Sequence, residues 1–452
     1  MSCIVVLFSR DLRVHDHPAL ASAVRDADAI VPLFVFDDAI VSSDFARPNR
    51  MSFLVASLMD LKKSLEGMGG DLIVRRGNVV DEAMRVMHEA AASAIYVSSD
   101  VSAYAGSRER RLANACRESS RELKTWPGVT VVPAGAITPA GGDHFKVFSP
   151  YWRRWQEWER RAMLAVPKRI SVPSAVGPGA VPPSGELVGG EVSPELVPGG
   201  ETEGRRRAEE WLEGEVAGYE ADHDNLPGDA TSRLSPYLHF GCLSPLELAE
   251  HASSKRSAGA FVRQLCWRDF YHQVYAATPD LARRDYRPRG DRWGSAGRAL
   301  ERWKQGRTGF PIVDAGMRQL LREGWMHNRA RLITASFLTK DLYIDWRLGA
   351  RHFWDLLVDG DMANNAGNWQ WVAGTGNDTR PNRIFNPIRQ AHRFDPDGHY
   401  VRRYVPELRH IPGRRVHEPW KLGPEREGVD YPEPMVDHGD AAAAFRAKRA
   451  AV

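Results

Sequence analysis

The chain has 452 residues, 43% hydrophobic and 26% charged, with a formal net charge of +3, which allows two to three domains and excludes a disordered or fibrous chain. Near-neutrality argues for no polyanion partner by itself, so a basic surface has to come from local clustering. Four scattered cysteines (Cys3, Cys116, Cys242, Cys266) form no C-x-x-C pair, and no run approaches ~20 apolar residues, so a structural zinc site, a disulfide framework and a membrane span are not expected and a reduced, cytoplasmic setting is.

Residues 1–133 alternate short apolar runs with amphipathic segments. Runs 3–8, 30–36, 71–75, 94–97 and 129–132 read as buried strands, and 18–25, 50–68, 79–91 and 107–120 as the helices between them. This pattern predicts an α/β domain with a five-stranded, doubly wound parallel sheet. Ligands of such sheets bind beyond the carboxyl ends of the strands, where SRDLR (9–13), FDD (36–38) and SSD (98–100) lie. The apolar run 4–8 is too short for a signal peptide and leads straight into Arg10 and Asp11. No G-x-G-x-x-G follows it, so a dinucleotide fingerprint is absent. Residues 134–204 read as an interdomain linker, densest in Pro, Gly, Ser and Glu from 166 onward.

Residues 205–452 read as an all-α domain. Helical periodicity marks 205–219, 245–251, 260–277, 312–324 and 326–340. In the last of these Asn328, Arg331, Leu332 and Ala335 follow i, i+3, i+4, i+7 and share one face. An amide and a guanidinium on that face suit the lining of a polar pocket.

Several short motifs could carry chemistry. TSRLS (231–235) offers hydroxyls, an arginine and free N–H groups to a phosphate, although an ordinary helix N-cap would use the same residues. CWRDFY (266–271) lies mid-helix. Trp267 and Phe270 read equally as core, Arg268 and Asp269 as a solvated face, and Gln264 sits one turn before Arg268. The run DGDMANNAGNWQW (359–371) sets carboxylates, amides and two tryptophans close together. It is poor material for a plain helix or strand, because Asp, Asn and Gly compete for backbone hydrogen bonds. A planar heterocycle rich in donors and acceptors would satisfy these groups. Trp369, Trp346 and Trp293 read either as core rings or as an oxidisable series. Arginines cluster at 283–298 and, among aromatics, at 380–415, which suits a nucleic-acid phosphate track or a solvated basic face.

Taken in order, TSRLS, CWRDFY, GFPIVDAGMR (309–318), GWMHNR (324–329), DLYIDW (341–346) and the run at 359–371 resemble the photolyase/cryptochrome family of flavoproteins. The likeness is greatest to class I cyclobutane pyrimidine dimer photolyases. It implies light-driven repair of UV-damaged DNA by a monomer that binds FAD in the helical domain and an antenna chromophore in the α/β domain. By position, Tyr219, Thr231, Ser232, Arg233, Leu234 and Ser235 would hold the FAD phosphates. Arg331 and Asp359 would pair beside the isoalloxazine, Asp361 would bond its edge, and Asn365 would face N5. Trp369, Trp346 and Trp293 would be successive electron donors.

On the lesion side the resemblance implies that Trp267 and Trp371 stack on a flipped-out dimer. Asn328 would contact the dimer, Arg329 and Arg383 the phosphates around it, and Gln264 and Arg268 would complete the substrate set. Arg50, Asp100 and Lys255 fall where related chains bind 8-hydroxy-5-deazaflavin, with methenyltetrahydrofolate or an empty antenna site as alternatives. Gln264 departs from the class I pattern, which has Glu there; an amide keeps hydrogen bonding but holds no charge. A 6-4 photolyase pairs Gln with two histidines, where this chain has Asn328 and Leu332. A cryptochrome photoreceptor is the rival from another class. No metal, nucleophile or hydrolytic acid/base pair is expected.

Overall fold

The computed structural model describes residues 2–426 and 428–450. It opens with strands β1 (Cys3–Phe8), β2 (Ala29–Asp37), β3 (Ile73–Gly77), β4 (Ala94–Ser98) and β5 (Glu122–Trp126), all parallel, in the order β3-β2-β1-β4-β5. The long helices between them are α1 (Pro18–Asp26), α2 (Pro48–Gly67), α3 (Val79–Glu89) and α4 (Ala103–Glu118), with a single short helical turn at Asp38–Val41. Every residue of β1 and β2 is buried, as the unbroken apolar runs require of a sheet covered on both faces. Cys3, Val5 and Leu7 share a core with Val79, Ala83 and Val86 of α3 and Leu112 of α4. Pro32 is tolerated in β2 because pairing to β3 begins only at Leu33.

Two expectations for this region are corrected. The fifth strand is 122–126, not 129–132. Its sequence ELKTW lacks an apolar run because it is an edge strand, paired only through Ala94 to Ser98 of β4 and otherwise half exposed. Val129, Val131 and Val132 are buried, but Val132 N–H donates to the Asp269 carboxylate rather than to a strand. Nor is the Pro/Gly-rich stretch a loose tether throughout. Ile170 N–H donates to Met68 O (2.9 Å), Val74 N–H to Pro178 O (2.6 Å) and Ile30 N–H to Ser171 O (2.8 Å), so residues 170–178 are pinned to the sheet and α2.

By packing, the chain divides into two units. Unit 1 comprises residues 1–192, 197–217 and 232–279, and unit 2 comprises 193–196, 218–231 and 280–452. Unit 1 therefore includes α5 (Phe148–Glu157), α6 (Glu201–Glu213), α7 (Pro245–Ser253) and α8 (Gly259–Ala277). Packing thus cuts the chain differently from the change of element type at residue 205.

Unit 2 is helical. It contains α9 (Pro311–Glu323), α10 (Asn328–Ser336), α11 (Trp346–Leu356), α12 (Met362–Ala373), α13 (Pro387–Phe394) and α14 (His438–Ala450). Trp303, Met317, Ile333, Trp346, Phe353 and Trp369 belong to its core. Gly349 lets α11 approach α12, since a Cβ there would lie 2.2 Å from the Trp369 ring. The expected helix 326–340 is shorter: the His327 ring caps α10 by accepting from Arg329 N–H at 3.1 Å, and a π turn occupies Phe337–Asp341. The larger correction is α12. Residues 362–373 form a regular helix despite their low propensity, because Asp361 caps it by accepting from Asn364 N–H (2.9 Å). Ala363, Ala366, Trp369, Gln370 and Ala373 are buried, so packing overrides propensity.

Candidate functional site

In unit 2 the C-terminal ends of short loops and the starts of α10 and α12 gather the polar groups. Arg331 Nη2 lies 2.8 Å from Asp359 Oδ2, and Arg331 Nε donates to the Met326 carbonyl at 2.8 Å. Asp359 and Asp361 are 8% and 6% exposed, so both carboxylates are held largely out of water. Asp361 accepts from the backbone and side-chain nitrogens of Asn364 at 2.9 and 2.8 Å. One turn on, Asn365 Nδ2 donates to the Ala350 carbonyl at 3.0 Å. A carbonyl can only accept, so this bond fixes the amide orientation, using one of the two Nδ2 hydrogens and leaving Oδ1 and the second N–H for other partners.

The segment 218–231 supplies two more of the expected residues. Thr231 Oγ1 is buried with no hydrogen-bond partner among the described residues. An orphan hydroxyl of this kind is costly unless a ligand satisfies it, and a phosphate oxygen is a fitting partner. Tyr219 is half-buried, and burial, helped by Asp224, pushes its hydroxyl up to about 12. Arg329 holds this segment in place. Its Nε donates to Asp224 Oδ1 at 3.0 Å, its Nη2 also binds that carboxylate, and the guanidinium lies 4.4 Å from the Phe394 ring centroid. Leu226 N–H adds a bond to the Phe394 carbonyl at 3.1 Å. The structure thus gives Arg329 a bidentate protein partner that the sequence did not reveal; nothing in the run 220–224 marks Asp224 among its acidic neighbours.

Of the three expected donors, Trp369 and Trp346 are 3% and 0% exposed in one core, and Trp293 is half-buried against it. Trp346 Nε1 donates to Asp285 Oδ1 at 2.8 Å, and Arg347 binds the same oxygen at 2.8 Å while lying over the Trp346 ring. Trp371 is half-buried, with the Arg383 guanidinium 4.5 Å from its ring centroid. Asn328 is exposed at the start of α10.

In unit 1, Gln264 is exposed on α8, and Trp267 is half-buried one turn away. Phe148 of α5 stacks face to face on Trp267, 3.7 Å between centroids and 2° between planes. The sequence reading missed Phe148, although Phe148, Tyr151, Trp152 and Trp155 recur at helical spacing. Arg268 donates to the Val129 and Leu238 carbonyls at 2.6 and 3.2 Å, which ties α8 to the chain beneath it. Asp269 is 1% exposed and accepts from Trp155 Nε1 at 2.9 Å; burial pushes its carboxyl above the usual range. Residues 232–235 turn sharply, with Arg233 at φ +51°, a conformation uncommon for a non-glycine residue. Leu234 there is buried, and Ser232 Oγ accepts from its N–H at 3.4 Å.

The antenna candidates are also in unit 1. Arg50 is fully buried, with Nε on the Phe45 carbonyl at 2.8 Å. Asp100, just past β4, pairs with Arg10, just past β1, at 3.0 Å. This is the switch point where the strand order reverses. Lys255 is exposed. Among the described residues no group of His, Cys, Asp and Glu could hold a metal, and no helix is long and apolar enough to cross a membrane.

Two family models match the chain: "DNA photolyase" over residues 4–170 and "FAD binding domain of DNA photolyase" over 261–451. A deoxyribodipyrimidine photo-lyase of Streptomyces griseus is 53% identical, covering 99% of each chain. The crystal structure of a bacterial class III photolyase from Agrobacterium tumefaciens superposes with a TM-score of 0.92 at 32% identity, covering 100% of this chain and 98% of the other. An archaeal photolyase from Sulfolobus tokodaii, solved with two FAD molecules, gives 0.88 at 30% identity over 100% of each chain.

Proposed function

The chain belongs to the DNA photolyase family, and we propose that it is a light-dependent deoxyribodipyrimidine photo-lyase acting on cyclobutane pyrimidine dimers in UV-damaged DNA. Its cofactor is FAD, which when bound supplies the light-driven electron that opens the cyclobutane ring. The observation that carries the site reading is Asn365, whose amide is oriented by donation of one N–H to the Ala350 carbonyl. Its Oδ1 accepts, which suits a flavin carrying a proton on N5, the form rich enough in electrons to donate.

The neighbouring residues take complementary roles. Arg331 keeps a positive charge beside the ring position while Asp359 fixes its direction. Asp361 and Asn364 brace the first turn of α12. Tyr219, Thr231 and the turn at 232–235 are assigned to the phosphates, with the orphan Thr231 hydroxyl as the supporting feature. Trp369, Trp346 and Trp293 are assigned to inward electron delivery. Asp285 favours a positive charge on the Trp346 indole by accepting from its Nε1. For the lesion, Trp267 backed by Phe148 and Trp371 backed by Arg383 offer flat faces to unstacked bases. Asn328 and Gln264 are exposed polar groups suited to base edges. Arg329 and Arg268 are spent on protein partners, and we assign them to holding the site rather than to touching DNA.

For the antenna we propose 8-hydroxy-5-deazaflavin near Arg50, Asp100 and Lys255, supported by the Arg10–Asp100 pair at the sheet switch point. Methenyltetrahydrofolate, a second flavin, or an empty site are the alternatives. We also propose a cytoplasmic monomer, with segments 1–133, 134–204 and 205–452 as its functional divisions. The neutral Gln264 favours a second reading, a photoreceptor with poor repair. Both are tested by light-dependent loss of dimers from purified DNA. Reduced holoprotein should remove them under blue or near-UV light and not in darkness; binding without loss would leave the photoreceptor reading.

A further inference from the structure

Beside Trp293 stands a second oxidisable ring. Tyr343 packs on Trp293 with centroids 5.1 Å apart at 42°, and Gly294 N–H donates to the Tyr343 carbonyl at 2.8 Å, fixing the two segments together. Tyr343 is 6% exposed and holds φ +52°, an outlier for a bulky aromatic residue. That backbone turns its phenol onto Asp291, where the hydroxyl donates to Oδ1 at 3.0 Å. The Asp291 side chain is 1% exposed, pairs with Arg449 of α14 at 2.9 Å, and keeps Oδ2 buried without a hydrogen-bond partner among the described residues.

We propose that Tyr343 is the terminal electron donor beyond Trp293, passing its phenolic proton to Asp291. The inference rests on reading Trp293 as the outermost tryptophan of the series. Once Trp293 has given an electron toward Trp346, it is left as a radical cation. One electron then moves from the Tyr343 phenol to Trp293, restoring the neutral indole. The O–H bond breaks, the proton goes to Asp291 Oδ1, and a neutral tyrosyl radical remains. An external thiolate, oxidised to its thiyl radical, later returns the electron, and Asp291 returns the proton.

The surroundings require electron and proton to leave together. Lys448 Nζ lies 4.0 Å from the Tyr343 ring centroid, so a ring that kept a positive charge would be disfavoured. Burial, with the bond to Asp291, pushes the hydroxyl up to about 12, so the phenol starts protonated. A phenol radical cation is a very strong acid, and even a carboxylate paired with Arg449 accepts its proton. The step moves the positive hole out of the tryptophan series and turns it into a neutral radical, which slows charge recombination.

Flash photolysis of the holoprotein with oxidised FAD tests this. In the wild type the absorption band of a neutral tyrosyl radical should grow as the tryptophan radical decays, more slowly in D2O. Tyr343→Phe keeps the ring and its packing and should lose that band, with the tryptophan radical living longer. Asp291→Asn should suppress tyrosyl formation without lowering the initial tryptophan radical yield. A tyrosyl band that persists in Tyr343→Phe overturns the proposal, as does a wild-type tryptophan radical that decays with no tyrosyl band. If no tryptophan radical forms in the wild type, the tryptophan series itself fails, and this extension with it.

Discussion

In β1 every residue from Cys3 to Phe8 is buried and none is charged, whereas α9 buries Asp314, Gln319 and Glu323 among Val313, Met317 and Leu320. The strands of the sheet are registered by backbone bonds and the side chains of β1 add only apolar burial, which is strong but non-directional. The helices of unit 2 are also registered by directional bonds. Asp314 accepts from Thr308 N–H and Oγ1, both at 2.7 Å, from Gly309 N–H at 3.1 Å and from the Tyr431 hydroxyl. Gln319 accepts from Tyr400 Oη at 2.7 Å and from His327 N–H at 3.1 Å, and Tyr404 bonds Glu323. His327 in turn caps the helix that carries Asn328, Arg329 and Arg331. A redox site needs its groups held within fractions of an ångström, and a buried polar network gives that specificity when every member is satisfied.

The largest expected effect breaks the redox half of the contrast. Trp293→Phe should abolish photoreduction of oxidised FAD while repair by chemically reduced enzyme survives; equal loss of both would contradict its assigned role. Next, Asp314→Ala strands several buried donors and should cost roughly 3–5 kcal/mol, read as a lower unfolding midpoint together with loss of bound FAD. Leu33→Ala in β2 removes only apolar contact, about 2–5 kcal/mol, and should lower the midpoint while leaving FAD affinity unchanged. Similar FAD loss in both variants would erase the distinction between the units.

His417 sharpens the comparison through pH. It is 1% exposed and its Nε2 lies 2.7 Å from the Asp395 carbonyl, and burial lowers its pKa from 6.5 to about 4. With the folded value below the unfolded one, its contribution is full above pH 6.5 and is lost as pH falls toward 4. The swing is up to roughly 3 kcal/mol. Thermal melts between pH 7 and 4 should show this decline, and His417→Gln should make it shallower, with half-buried His352, also lowered to about 4, carrying part of the remainder. Asp224→Asn weakens the partly exposed pair with Arg329 and should raise the FAD dissociation constant about tenfold, measured by flavin fluorescence. A changed DNA affinity with FAD binding intact would instead return Arg329 to a phosphate contact. The smallest expected change is a gain: Gln264→Glu should raise the repair quantum yield if the missing carboxylate limits it.

Much of the sheet was legible because unbroken apolar runs such as 3–8 leave no alternative to a buried strand. The edge strand 122–126 was not, since its polar alternation looks like loop and the apolar 129–132 drew the assignment instead. In unit 2 the run 359–371 announced a site by its chemistry but hid its helix, because the Asp361 cap and burial of Trp369 act only once the chain is folded. The partners of individual arginines were illegible for the same reason. Arg329 and Arg268 carry the same charge, yet one meets Asp224 across 105 residues and the other two carbonyls across 139 and 30 residues. Phe148 was within reach, since its helical spacing with Trp152 and Trp155 is visible in the sequence.

The most direct test follows the dimer itself after a single flash. Reduced holoprotein bound to a dimer-containing oligonucleotide should regain ultraviolet absorbance as the two pyrimidine double bonds re-form, with no gain in darkness or on undamaged DNA. A complex that binds the lesion, absorbs the light and shows no such recovery would contradict the account.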